Sequence, residues 1–140
     1  MEHIILLPSD IRSFETNVIV VAWDATSSAV RAVYDALPLL IRARDVAVLS
    51  VIDDKAFSTP YSGEALCHYL TRWGVNAKFN AINCKKLTVA TALLSYAERL
   101  RANLLVMGGV AHGFARTLML GIATQDVFRM DRKIPIFLSH

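Results

Sequence analysis

The sequence predicts an α/β fold, an open three-layer sandwich with a five-stranded, mainly parallel sheet and about four helices. Short β-branched runs alternate with longer segments of helical periodicity, a pattern typical of βαβ units. Apolar residues make up 54% of the 140 residues, which is enough to build one sizeable core. This length corresponds to a single domain, which we assign to residues 18–140, with residues 1–17 as an N-terminal segment.

Five apolar runs are predicted to form the strands. Three of them are almost continuously apolar, as expected where helices cover both faces of a sheet. Pro135 restricts the last run to a sheet edge or to a strand's first residue, because proline lacks the N–H that a central strand needs. The five runs span residues 18–23, 46–52, 76–82, 103–107 and 134–138.

Four segments with helical periodicity separate these runs, at residues 26–43, 63–73, 87–101 and 122–131. In the first, Thr26 or Ser27 can cap the helix, and Pro38 should bend it because proline crowds the preceding turn. Apolar residues recur there at spacings of three and four, and we expect this stripe to face the sheet. The stripe consists of Val30, Val33, Leu37 and Leu40.

Composition excludes several classes of protein. The net charge of +3 combines an acidic first half, with five basic against nine acidic residues, and a basic second half, with ten against three. The basic residues are spread over many segments without aromatic interleaving, so we expect no nucleic-acid partner and a solvated basic surface for most of them. A small anionic ligand is the alternative. No apolar run is long enough to cross a membrane, and the N-terminus lacks the basic flank of a signal peptide, so we expect a cytoplasmic protein.

Metal and catalytic chemistry are not indicated by the sequence. Cys67 and Cys84 have no disulfide or zinc-site spacing, so we expect both to be reduced and no metal to be bound. No set of residues supplies an acid, a base and a nucleophile together, which argues against an enzyme.

The ends of three predicted strands supply the first candidate site residues. Asp24 follows the first strand, Val51 lies near the end of the second, and Gly108 and Gly109 end the fourth. Ligands of open α/β sheets bind outside the carboxyl ends of the strands, so we expect these residues to share one rim. Asp24 could alternatively cap the following helix.

Residues 107–128 form the second candidate feature. They contain four of the six glycines, together with His112 and Arg116. Backbone N–H groups of such a loop can bind an anion such as phosphate. A loop that only needs tight turns is the alternative interpretation.

Over residues 18–140, the sequence resembles the universal stress proteins. VVAWDATSSAVRAVYDALPLL is similar to that family's first strand and helix, VAVLSVID to its second strand, and ALLSYAERLRANLLVMGG to its third helix and fourth strand. The resemblance implies a fold like that of the adenine nucleotide alpha hydrolases, a role in stress adaptation, and ATP or a related adenine nucleotide as ligand. It also implies a homodimer whose subunits meet at residues 134–138.

The family's nucleotide motif is glycine, two residues, glycine, nine residues, then glycine followed by serine or threonine. It falls here on Gly108, Ala111, Gly121 and Ile122. Ala111 adds a methyl group where close approach to phosphate is needed, and Ile122 lacks the hydroxyl donor. We therefore expect weakened nucleotide binding. An interaction module that has lost its nucleotide is the alternative.

The resemblance also assigns roles to individual residues. Asp24 would contact the adenosine, and Val51 would lie beside the base. The loop would hold phosphate through Gly108, Gly109, His112, Arg116 and Gly121. WDAT, ALPLL and HGFAR are similar to the second repeat of tandem family members. Residues 4–10 would then correspond to the last strand of a first repeat, and we expect a short edge strand there.

Overall fold

The computed structural model describes residues 3–8, 11–52, 62–83, 89–108 and 134–139. The predicted α/β class and the mainly parallel sheet are confirmed in these residues. The predicted helix over residues 122–131 lies outside them. In chain order the elements are β1 (His3–Leu6), β2 (Val18–Ala22), α1 (Ser27–Arg42), β3 (Asp45–Ile52), α2 (Ser62–Arg72), β4 (Ala77–Asn83), α3 (Val89–Arg99), β5 (Leu104–Gly108) and β6 (Ile136–Ser139).

The sheet has six strands in the order β1-β6-β5-β2-β3-β4, namely the five predicted core strands and β1, which is the short N-terminal edge strand expected near residues 4–10. β1 pairs antiparallel with β6, whereas all other pairs are parallel. Because β1 and β5 flank β6 on its two sides, residues 134–138 do not form the sheet edge within one chain. Pro135 directly precedes β6, where the missing N–H disrupts no ladder bond.

Two apolar clusters cover the two faces of the sheet. On one face α1 and α2 pack through residues such as Val33, Leu40 and Leu70, and on the other α3 packs through Leu93 and Ala97. The inner strands β2, β3, β5 and β6 are mostly buried, which explains their nearly continuous apolar sequence, whereas the edge strands β1 and β4 are largely exposed. The core therefore consists of two layers, one on each side of the sheet.

The buried face of α1 differs from the predicted stripe. Val33 and Leu40 are buried as expected, but Val30 is 51% exposed. Three alanines take its place in the interface, namely Ala29, Ala32 and Ala36. Because their small side chains let the helix backbone approach the sheet closely, α1 is rotated toward them and away from Val30.

Among the described residues, no helix is long and apolar enough to cross a membrane.

Candidate functional site

The carboxyl ends of β3, β2 and β5 lie side by side. Ala22 pairs with Leu49, so two residues further along these strands Asp24 comes opposite Val51. Val21 pairs with Val106, so two residues further along these strands Trp23 comes opposite Gly108. The described site residues from the sequence analysis therefore share one rim. Strand order reverses between β2 and β5, where open α/β sheets bind their ligands.

Hydrogen bonds hold β2 in place as it reaches this rim. The Trp23 N–H donates to the Leu49 carbonyl at 2.8 Å, and the buried Ser50 hydroxyl donates to the Trp23 carbonyl at 2.7 Å. The Trp23 indole Nε1 donates to the Ser62 hydroxyl at 3.1 Å, which ties β2 to the first residue of α2. These three hydrogen bonds hold Trp23, and they therefore also fix the position of Asp24, the next residue.

Asp24 organises the turn into α1 but is not its cap. Its Oδ1 accepts from the Thr26 N–H at 3.0 Å and from the Thr26 hydroxyl at 2.6 Å. Thr26 is the N-cap, because its hydroxyl oxygen accepts from the Ala29 N–H at 3.2 Å. No hydrogen bond within the described part of the chain uses Asp24 Oδ2. One carboxylate oxygen therefore holds the turn, and the other can accept a bond from a ligand.

The residue between Asp24 and Thr26 adopts an unfavourable backbone conformation. Ala25 has φ 62°, in the left-handed region that costs an L-residue with a Cβ about 1–2 kcal/mol. Asp24 and Thr26 hold the turn closed on both sides of it. This strain lies directly beside the candidate ligand residue.

Gly108 lies against the first turn of α1. A Cβ placed on it would come within 2.7 Å of the Ala29 nitrogen and the Ser28 hydroxyl oxygen, and within 2.8 Å of the Ser28 carbonyl carbon. Helix packing alone therefore requires glycine at this position.

Val51 contributes a largely buried side chain to the rim. It is 8% exposed and packs with Ala22, Leu49 and Met107 on the face covered by α3. Only a small part of this side chain can contact a ligand. It can form one apolar wall for a base, but no more.

The N-terminus of α1 gives the rim a favourable field for an anion. Its first turn contains no acidic residue, and Thr26 satisfies the Ala29 N–H. The Ser27 and Ser28 N–H groups have no partner in the described residues, and the helix dipole adds partial positive charge there. The rim thus combines one free carboxylate oxygen with a positive helix end.

The other predicted site residues, Gly109, Ala111, His112, Arg116, Gly121 and Ile122, lie outside the described residues, and their roles stay predictions. In the described ranges, no three or more His, Cys, Asp and Glu side chains cluster as metal ligands would.

A depression that was not predicted lies at the opposite end of the sheet. It has a volume of about 470 Å³, and Lys78, Asn80 and Tyr96 are among the polar residues that line it. Lys78 and Asn80 alternate with Ala77 and Phe79 at the start of β4, a pattern that indicates one exposed strand face.

Comparison with solved structures shows that the chain has the universal stress protein fold. A protein of that family from Burkholderia pseudomallei is 21% identical, with a TM-score of 0.62, and the match covers 88% of this chain and 95% of that one. A universal stress protein in complex with cAMP is 20% identical, with a TM-score of 0.66, over 89% of this chain and 96% of that one. A family protein from Arabidopsis thaliana with AMP bound is 16% identical, with a TM-score of 0.57, over 88% and 90%.

No protein-family model matches the sequence, and no curated protein is significantly similar to it. The predicted resemblance is thus confirmed at the level of the fold.

Proposed function

We propose that this chain is a universal-stress-protein domain that acts in stress adaptation in the cytoplasm and binds an adenine nucleotide weakly, without catalysing a reaction. One observation carries the proposal. The ends of three adjacent strands bring Val51, Asp24 and Gly108 to one rim at the reversal of strand order. Two structures with this fold hold cAMP and AMP.

Asp24 is the proposed contact to the nucleoside. Its Oδ2 can accept a hydrogen bond from a ribose hydroxyl or a base amine while Oδ1 keeps its bonds to Thr26. Val51 would form an apolar wall beside the base. Phosphate would be bound by the backbone of Gly108, Gly109 and Gly121 with His112 and Arg116, as the resemblance implies.

Two substitutions in the motif make the proposed affinity low. Ile122 replaces a hydroxyl donor, and a hydrogen bond to a charged group contributes about 1.5–3 kcal/mol, so this loss weakens binding without abolishing it. Ala111 is the more severe change, because a methyl group at a close approach to phosphate must either move the loop or move the ligand.

A thermal-shift titration with ATP, AMP and cAMP tests the proposal. Ligand at a hundredfold excess over its dissociation constant stabilises the fold by about 2.7 kcal/mol. We expect a response from the natural chain at millimolar ligand and a larger one from Ala111→Gly. Asp24→Asn is the matched variant, since its Oδ1 keeps both bonds to Thr26 while a donor replaces the free oxygen. We expect it to fold normally and to lose most of the response.

Two outcomes decide between this function and its alternative. If neither the natural chain nor Ala111→Gly responds to any of the three nucleotides, the nucleotide proposal fails. If only Ala111→Gly responds, the natural chain is an interaction module whose pocket the alanine methyl group closes.

A homodimer is the second part of the proposal. Beside β6, strand β1 presents Ile4 and Ile5, which are 54% and 39% exposed, and Leu7 follows it at 51%. An apolar edge strand of this kind favours pairing with a second chain. Light scattering at micromolar concentration should therefore return twice the 15.5 kDa chain mass. A monomer that persists at this concentration would contradict this part.

A further inference from the structure

An open groove lies between β4 and α3, at the end of the sheet opposite the rim. Asp45, the first residue of β3, and Val18, the first of β2, line it, whereas the rim lies at the other ends of these strands. β4 is an edge strand whose Ile82 packs in the α3 cluster, whereas Lys78 and Asn80, nearer its start, are exposed. The groove is therefore the part of this sheet face, beside α3, that no described helix covers.

The lining of this groove is amphipathic. Arg44, Asp45 and Asn76 are polar residues at one end of it. Its apolar side is formed by Val18, Ala47 and Leu100, and the rest of its polar side by Lys78, Asn80 and Tyr96. We call these last six residues the Lys78 groove. Ala47 pairs with Lys78, so the two sides meet along the adjacent strands β3 and β4. A ligand with one charged end and an apolar body fits this division.

The charges favour an anion. Asp45 is the acidic residue among the lining side chains, and its two carboxylate oxygens accept from Arg44 Nε and Asn76 Nδ2, each at 2.9 Å. Lys78 is exposed and has no ion pair within the described ranges. An ammonium group without a counter-ion at the edge of an apolar surface attracts a carboxylate or sulfonate.

Tyr96 adds a directed donor. Its hydroxyl oxygen accepts a hydrogen bond from the Asn80 side-chain amide, which leaves the phenolic O–H to donate to a further group. The guanidinium carbon of Arg99 lies 5.0 Å from the centroid of the Tyr96 ring and adds positive charge nearby. Lys78 and Tyr96 can therefore both contact one anionic head group.

We propose that the Lys78 groove binds a small amphipathic anion, a carboxylate or sulfonate carried on an apolar body. The Lys78 ammonium group and the Tyr96 hydroxyl hold the anionic group, while Val18, Ala47 and Leu100 contact the body. The groove volume of about 470 Å³ lies within the usual range of small-molecule sites. This site is independent of the nucleotide rim.

Fluorescence titration with 8-anilinonaphthalene-1-sulfonate, an apolar aromatic sulfonate, tests the proposal on the full chain. We expect saturable binding of one molecule per chain and an affinity about tenfold lower in Lys78→Gln. Ala47→Phe should remove binding, because a phenyl group projecting from this half-buried position fills the groove. Arg31→Gln is the charge-matched control on the exposed side of α1 and should leave the affinity unchanged.

A second apolar groove, of about 230 Å³ between α1 and α2, supplies a further control. Val30 lines it and is exposed, so Val30→Gln should not change binding of the sulfonate. If binding is lost in Val30→Gln and unaffected by Lys78→Gln and Ala47→Phe, the proposal is overturned. The absence of saturable binding to the natural chain overturns it equally.

Competition experiments distinguish the contribution of the charged group to binding from that of the apolar body. Decanoate should displace the sulfonate. Decanol has the same chain without the charge, and we expect displacement by it to require a concentration at least about tenfold higher. Equal competition by the two would refute recognition of an anion. Millimolar ATP should not displace the probe, and displacement by ATP would refute a site separate from the rim.

Discussion

Gly108→Ala is the sharpest test of how the rim is built. The new Cβ would lie 2.7–2.8 Å from three atoms of the first turn of α1, whereas ordinary contacts begin at 3.4 Å. The helix end or the strand end must therefore move by about 0.7 Å. Two of the three atoms belong to the backbone of Ser28 and Ala29, so a side-chain rotation cannot relieve the contact.

The expected cost follows from this geometry. Overpacking a well-packed core costs about 1–3 kcal/mol, and rigid backbone on the opposing side favours the upper half of that range. Replacing glycine by alanine within a strand stabilises the folded state by about 0.5–1 kcal/mol, because alanine loses less backbone entropy on folding. We therefore expect a net loss of about 2 kcal/mol, which corresponds to about 6–8 °C in Tm for a domain of this size.

Urea unfolding and thermal melting of Gly108→Ala measure this loss directly. Adding Ser28→Ala to the variant removes only the hydroxyl contact, so it should restore little stability. Gly74→Ala is the control for a Cβ in open space, since nothing lies within 4 Å of it and its cost of about 1 kcal/mol comes from φ +80° alone. A Gly108→Ala protein that melts within about 1 °C of the natural chain would refute the packing argument.

Three further predictions concern stability and reactivity. Ala25→Gly should raise the free energy of unfolding by about 0.5–1 kcal/mol in urea, because it relieves the strain at φ 62°. Ser139→Ala should lower it by about 1.5–3 kcal/mol, since the buried hydroxyl donates to Asp35 Oδ2 at 2.5 Å, whereas Asp35→Asn keeps an acceptor and should cost less. Burial, with a smaller contribution from a nearby carboxylate, raises the pKa of Cys67 to about 11. In a Cys84→Ser background, alkylation at pH 8 should be far slower than in the unfolded chain. Because the folded state then holds more protons, stability should fall as pH rises from about 9 to about 11.

The strands and helix ends could be predicted closely because local chemistry determines them. Strands buried on both faces, such as Val18–Ala22 and Leu104–Gly108, are unbroken apolar runs in the sequence. Thr26 was one of two predicted caps and forms the observed one. The second helix is predicted to end at residue 73 and ends at Arg72, and Gly74 just beyond it has the positive φ that favours glycine after a helix.

The orientation of α1 could not be predicted in the same way. Periodicity identifies an apolar stripe by its larger side chains, and Val30 belongs to that stripe. Which stripe packs depends on how closely the helix approaches the sheet, and the alanines beside it permit the closer approach. The Lys78 groove could not be predicted for a related reason. The alternation of polar and apolar residues at the start of β4 indicates an exposed strand face, but where α3 docks decides whether a groove forms there.

The described rim residues have structural roles that do not depend on a ligand. Asp24 holds the turn that Thr26 caps, and Gly108 gives α1 room to pack, so the fold requires both even in a chain that binds no nucleotide. Their presence in the sequence therefore follows from the fold, and the binding proposal rests on their placement together at the reversal of strand order. Ala111 and Ile122 are the two motif positions at which this sequence departs from the family, so the expectation of weakened binding depends on them. For this reason the response of Ala111→Gly to nucleotide separates a binding domain from an interaction module, whereas alanine substitutions at Asp24 or Gly108 would disturb folding and binding together.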